Sequence, residues 1–308
     1  MADSSIEWTD ATWNPTTGCD RTSPGCDHGY ALTMSGRLKA MGQPKYQRDG
    51  DPRTSGPGFG LTVHPEALDL PRSWSKPRMI FVNSMSDLFH KDVPIGFIRD
   101  VFAVMQETPR HTYQVLTKRS KRLASIADRL DWPPNVWMGV SVESQAYAFR
   151  ADHLRTVAAV VRFLSIEPLL GPVRLDLDQI DWVIAGGESG IGARPVEAGW
   201  VEDIRDDCLA TGTPFFFKQW GGRSPKSGGA LARWSHLESV PEVDNIGDRK
   251  NGIVSRPSLN LDALRTMRSD RTAGRASSED GRTRRARRGG DRGSDGRVPG
   301  VRRAMAHA

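Results

Sequence analysis

The sequence predicts an α/β protein, a full or partial parallel (β/α) barrel of TIM-like type, followed by a disordered C-terminal tail. Three observations carry that prediction. Short apolar runs recur through residues 1–229. Each run is followed by a polar cluster. Segments with helical spacing separate most of the runs.

An early strand is expected near Ile6–Trp13, where Ile6, Trp8 and Trp13 supply apolar side chains. Tyr30 to Met41 reads as a helix stopped by Gly42 and Pro44. Residues 43–62, with four glycines and three prolines, read as a long surface loop. The later runs are Met79–Val82, Tyr113–Leu116, Val136–Val140, Val161–Leu164, Trp182–Ala185 and Phe215–Phe217. They are rich in β-branched or aromatic residues and mostly apolar on both faces, as the buried strands of a parallel sheet are. Between them, Phe97, Val101, Val104 and Met105 mark one face of a helix, as do Leu123, Ile126, Ala127 and Leu130. Val201, Ile204, Cys208 and Leu209 mark a third. Strand and helix alternating in this way imply βαβ units. An open doubly wound sheet is the second choice of architecture.

From about Ala230 the periodicity stops, and residues 268–303 are dominated by Arg, Gly, Ser, Asp and Ala. Residues 230–308 hold 17 Lys+Arg against 10 Asp+Glu, a net of +7, within a whole-chain charge of +6. The barrel segment is therefore near neutral, and the basic tail is a candidate nucleic-acid contact. No apolar run reaches the roughly eighteen residues of a membrane span. The first residues lack a basic region leading into an apolar one, so no secretory signal is expected. Three cysteines without an export signal argue against a disulfide framework and for the cytoplasm.

In a parallel barrel all the polar clusters fall on one rim, where loops converge on a single cleft. Lys118, Glu143 and Glu188 are the candidate catalytic residues there, since charge at a packed barrel mouth is costly unless paired or used. Asn83, Ser84, Asp87, Ser141, Glu167, Gly186 and Gly187 are candidate cofactor contacts, and Lys218 and Trp220 candidate substrate contacts. The competing reading is that such residues cap helices and end strands. Gly186-Gly187-Glu188-Ser189-Gly190 lacks the dinucleotide and P-loop patterns. Cys19 and Cys26, in a Gly/Pro-rich loop ahead of a helix, suit a metal or cluster. The other reading of that loop is two unligated cysteines. Cys208, on the apolar face of a helix, reads as core.

Ile6-Glu7-Trp8-Thr9-Asp10-Ala11-Thr12-Trp13-Asn14-Pro15, Gly18-Cys19 and Ser23-Pro24-Gly25-Cys26 resemble an uncharacterised phage-associated family, often named after phage gene products thirty-seven and sixty-eight. Its members are described as radical-SAM-like three-cysteine-motif proteins. The resemblance continues through residues 81–90, Val115–Arg119, Gly139–Glu143, Leu164–Leu169, Gly186–Gly190 and Phe216–Gly222, covering roughly residues 5–229. It implies a barrel of radical-SAM type with a Cys-x6-Cys-x2-Cys loop holding a [4Fe–4S] cluster, and S-adenosylmethionine on the open iron. It also implies a partner encoded nearby. Here Cys19 and Cys26 match, and Gly29 stands at the third cysteine position. The alternatives are a non-catalytic nucleic-acid-binding accessory protein using the arginine tail, and a degenerate prophage relic.

Overall fold

The computed structural model describes residues 9–223. The expected strand residues Ile6 and Trp8 and the expected tail lie outside them. Nine strands and five α-helices occur among the described residues. In chain order they are β1 (Ala11–Trp13), β2 (Thr16–Thr17), α1 (Tyr30–Ala40), β3 (Thr62–Val63), β4 (Met79–Val82) and α2 (Ile95–Glu107). Then come β5 (Thr112–Thr117), α3 (Ser120–Ile126), β6 (Val136–Ser141), α4 (Phe149–Arg155), β7 (Val161–Ile166), β8 (Trp182–Gly186), α5 (Ala198–Thr211) and β9 (Phe215–Gln219).

Seven strands form one all-parallel sheet in the order β1-β4-β5-β6-β7-β8-β9. Spatial order follows chain order throughout. A doubly wound sheet reverses direction at a switch point, so that alternative is excluded. Among the described residues β1 and β9 pair only with β4 and β8, which gives a partial barrel, a curled half-barrel. All seven strands point their C-terminal ends to one rim.

Helical spacing located α1, α2, α3 and α5. It missed α4, whose seven residues Phe-Arg-Ala-Asp-His-Leu-Arg bury only Arg150, Ala151 and Leu154, too few for an apolar stripe. It also missed the β2–β3 pair, Thr16 with Val63 and Thr17 with Thr62, so the end of the expected 43–62 loop is strand. Pairing across that distance leaves no local signature in two-residue strands.

The sheet divides two cores. One face packs against the helices, with Ile80, Val82, Tyr113, Val115, Met138, Val140, Leu164 and Val183 meeting Ile98, Val101, Met105, Leu123, Leu154 and Val201. The other is the concave face, filled by Phe81, Trp137, Val161, Phe163, Trp182, Ile184 and Phe216. Trp137 and Trp182 meet edge to face with centroids 6.1 Å apart, and Phe163 lies 5.7 Å from Trp182. Gly139 fits beneath Phe163: a Cβ there would lie 2.4 Å from the ring. These aromatic residues make the second core, on the sheet face away from the helices. No described helix is long and apolar enough to cross a membrane.

Candidate functional site

The cysteine loop lies on the rim. Gly18, just before Cys19, donates its N–H to the Met85 carbonyl and accepts the Ser86 hydroxyl at 2.6 Å, which joins the loop to the segment after β4. Ser23-Pro24-Gly25-Cys26 forms a tight 3-10 turn, with the Cys26 N–H donating to the Ser23 carbonyl at 2.9 Å. The extended Ser23 backbone and Pro24 at the first helical position start it. Gly29 then caps α1.

The two thiols sit in different electrostatic settings. Burial, helped by the Asp87 carboxylate, pushes the Cys19 thiol up to about 11, against the pull of the Arg119 guanidinium. Arg119 Nη2 approaches Cys19 Sγ at 3.6 Å and donates to the Asp20 carbonyl at 3.1 Å. At Cys26 burial also works to raise the thiol. The Lys118 charge and hydrogen bonds from Thr22 and Ser23 outweigh it, and the net position is below the ordinary value.

Of the candidate catalytic residues, Glu143 has no exposed surface. Its carboxylate accepts Ser23 Oγ at 2.6 Å and Arg150 Nη1 at 2.8 Å, and Lys118 Nζ stands 3.5 Å away. Arg150 also donates to the Ser141 carbonyl at 2.7 Å and lies over the Tyr147 ring. Glu188 is gripped by Arg194, which donates from Nη2 at 2.5 Å and from Nε at 2.9 Å. The same guanidinium reaches the Pro24 carbonyl at 2.8 Å, and His28 Nδ1 lies 3.5 Å from Glu188. Burial raises the Glu188 carboxyl, but the bonds and charge of Arg194 more than offset it and hold the carboxyl below its usual range. Lys118, Glu143 and Glu188 therefore converge on the cysteine turn.

Among the candidate cofactor contacts, Asp87 accepts from Thr117 Oγ1 (2.7 Å) and from the Lys118 and Phe89 N–H groups (both 3.0 Å). It locks the ends of β4 and β5 together. Asn83 donates to Thr16 Oγ1 at 2.9 Å, while its buried Oδ1 has no hydrogen-bond partner among the described residues. Ser84 shares hydrogen bonds with the Asn14 amide. Ser141 and Ser165 are register partners on β6 and β7. Glu167 accepts Ser165 Oγ at 3.2 Å and pairs with Lys218 at 3.0 Å beside Gly186. Gly187 lies where β8 and β9 converge, and a Cβ there would strike the Trp220 carbonyl. Trp220 packs on Phe217 with centroids 4.8 Å apart. The rim thus carries two charged groups, one around the cysteines and one at Glu167 and Lys218.

Ser23, Arg119, Arg150 and Arg194 are site residues to which sequence reasoning gave no role. Arg150 and Arg194 follow their carboxylates by seven and six residues across loops, a spacing with no recognisable period. Asp20, His90 and Asp92 bring three potential ligand atoms within 4.8 Å of one another. The Asp92 N–H, however, donates to His90 Nδ1 at 3.2 Å, which leaves the proton on Nε2 to bind Asp20 at 3.0 Å. Both ring nitrogens are thereby used, and the group braces Asp20 beside Cys19.

A three-thiolate [4Fe–4S] cluster does not fit the donor set of this chain. Cys19 and Cys26 are present on the loop; Gly29 offers no donor; and Cys208 is fully buried on α5 within the helix-side core. His28 turns its Nδ1 toward Glu188. The Gly29 backbone is nonetheless open to a side chain: φ is −60° and ψ 133°, and among the described residues a Cβ would meet only the Cys26 carbonyl, at 3.4 Å.

No curated protein matches the chain. Among solved structures, spore photoproduct lyase complexed with dinucleoside spore photoproduct is similar at 12% identity and a TM-score of 0.40, over 75% of this chain and 66% of that one. A variant of that lyase with bound AdoMet and dinucleoside spore photoproduct gives 11% identity and a TM-score of 0.39, over 67% of this chain and 63% of that one. The chain spans just under two thirds of that enzyme's length. A family described as "Protein of unknown function (DUF5131)" matches residues 3–289, and the chain belongs to that family.

Proposed function

We propose that this chain is a radical-SAM-like half-barrel protein whose ligand loop is one cysteine short, with its substrate unassigned. The observation that carries the reading is the geometry of Gly29. A loop with two thiols sits over the C-terminal ends of a parallel partial barrel, where α/β barrels place their active sites. Its third position keeps a backbone that any L-residue adopts, with space for a side chain. The chain thus retains the scaffold of a three-thiolate site and lacks one donor atom.

The test is anaerobic reconstitution of the protein beside its Gly29→Cys variant, with iron, sulfide and visible absorbance measured and S-adenosylmethionine cleavage followed under reduction. A cluster in the variant and none in the parent supports the reading. No cluster in either folded protein removes it.

A second reading rests on charge: 17 Lys+Arg against 10 Asp+Glu in residues 230–308 suit electrostatic contact with nucleic acid. It requires binding that weakens steeply with salt and vanishes when those residues are deleted.

A further inference from the structure

We infer that Glu143 is a positioning residue that holds the Cys26 turn in shape from beneath, with Arg194, oriented by Glu188, as the second grip. The inference rests on the reading of this turn as the ligand loop. Glu143 follows β6 and lies 120 residues from Ser23, yet the two share a 2.6 Å hydrogen bond. Gly25, between Ser23 and Cys26, presses on the same carboxylate: a Cβ there would lie 2.5 Å from Glu143 Cγ and 2.7 Å from Oε1. The carboxylate and the turn are therefore shaped to each other, with Ser23 supplying a donor and Gly25 the missing side chain. On the other side, Arg194 Nη2 holds the Pro24 carbonyl at 2.8 Å. All three residues of Ser23-Pro24-Gly25 are engaged by side chains from the rim.

None of these contacts involves a cysteine, so the turn keeps its form with no metal present. A fully buried carboxylate is costly unless paired and hydrogen-bonded. Here Arg150 and Lys118 supply the charge, and Ser23 takes the remaining bond. The buried ionic group thereby turns the desolvation cost of Glu143 into a fixed geometry for the residue that follows Gly25.

The experiment measures alkylation of Cys26 by iodoacetamide in the metal-free full chain, read by mass spectrometry. Cys208, fully buried on α5, serves as the internal reference for global opening. Gly25→Ala is expected to speed Cys26 alkylation about tenfold, the lower end of what overpacking a filled site does to a local opening equilibrium. Cys208 stays protected. In a Glu143→Ala background, which removes the clashing atoms, Gly25→Ala changes the rate less than about twofold. Ser23→Ala speeds Cys26 as well, and Ser23→Thr, which keeps the donor, restores the native rate.

Equal effects of Gly25→Ala in the two backgrounds overturn the inference. So does parallel exposure of Cys208, which would mark a general loss of stability. The assay needs no cluster, so failure of Gly29→Cys to assemble one leaves its outcome unchanged and sinks only the functional reading.

Discussion

Replacing Gly139 by alanine tests the aromatic packing of the second core. The added Cβ would come within 2.4 Å of Cε2 and Cζ of Phe163 and 2.7 Å of Cδ2. The ring has no exposed surface and backs onto Trp182 at 5.7 Å, which in turn meets Trp137, so it has little room to retreat. Overpacking of such a site costs about 1–3 kcal/mol, and the crowded aromatics place this one near the upper end. Burying one methyl returns about 0.8 kcal/mol. Reduced freedom of the unfolded chain returns about 0.4–1 kcal/mol. The expected net loss is about 1.5 kcal/mol, combining these terms. Urea unfolding followed by circular dichroism reads it as a lower midpoint at constant slope. The same substitution in a Phe163→Leu background, where the offending ring atoms are gone, is expected to cost less than about 0.5 kcal/mol. An unchanged midpoint in the parent, or equal losses in both backgrounds, refutes the assignment of Phe163 to the space above Gly139.

Arg150→Ala strands the buried Glu143 with only Lys118 and Ser23. A loss of about 3 kcal/mol is expected, at the low end for breaking a buried ion pair. A urea-measured loss below about 1 kcal/mol would contradict it. Gly29→Cys is expected to leave stability within about 0.5 kcal/mol, because the position is unstrained and open; a larger drop in the thermal midpoint would show a filled or strained site. Burial holds His64, His90 and His111 below the ordinary histidine value of 6.5, with Lys45 adding to this at His64 and Arg119 at His90. A depressed folded value means that protonation favours the unfolded chain. Their contribution is thus full above 6.5 and is lost as pH falls from there through the depressed folded values. Thermal midpoints should hold between about pH 8 and 7 and fall toward about pH 5. A flat profile over the acid half of that range would count against it.

The sequence by itself determined the architecture's class and direction. Met79–Val82, Val136–Val140 and Trp182–Ala185 are apolar on both faces because both faces are covered, a local signal that needs no knowledge of neighbours. Phe97, Val101, Val104 and Met105 announce α2 in the same way. Strand ends followed by Asn83, Lys118, Glu143, Glu167 and Glu188 placed these polar and charged residues on one rim, since parallel strands share a C-terminal side. Cys19 and Cys26 stood out as a pair in a Gly/Pro-rich loop ahead of a helix. Tertiary structure alone decided how far the sheet closes, because β1 and β9 carry no residue pattern that specifies an edge. It also decided what the carboxylates hold. Glu143 meets Ser23 across 120 residues, and Arg194 meets Pro24 across 170. Periodicity reports which face of an element is apolar; it carries no information about which distant polar group will satisfy a buried charge, and that pairing is fixed only when the strands come into register.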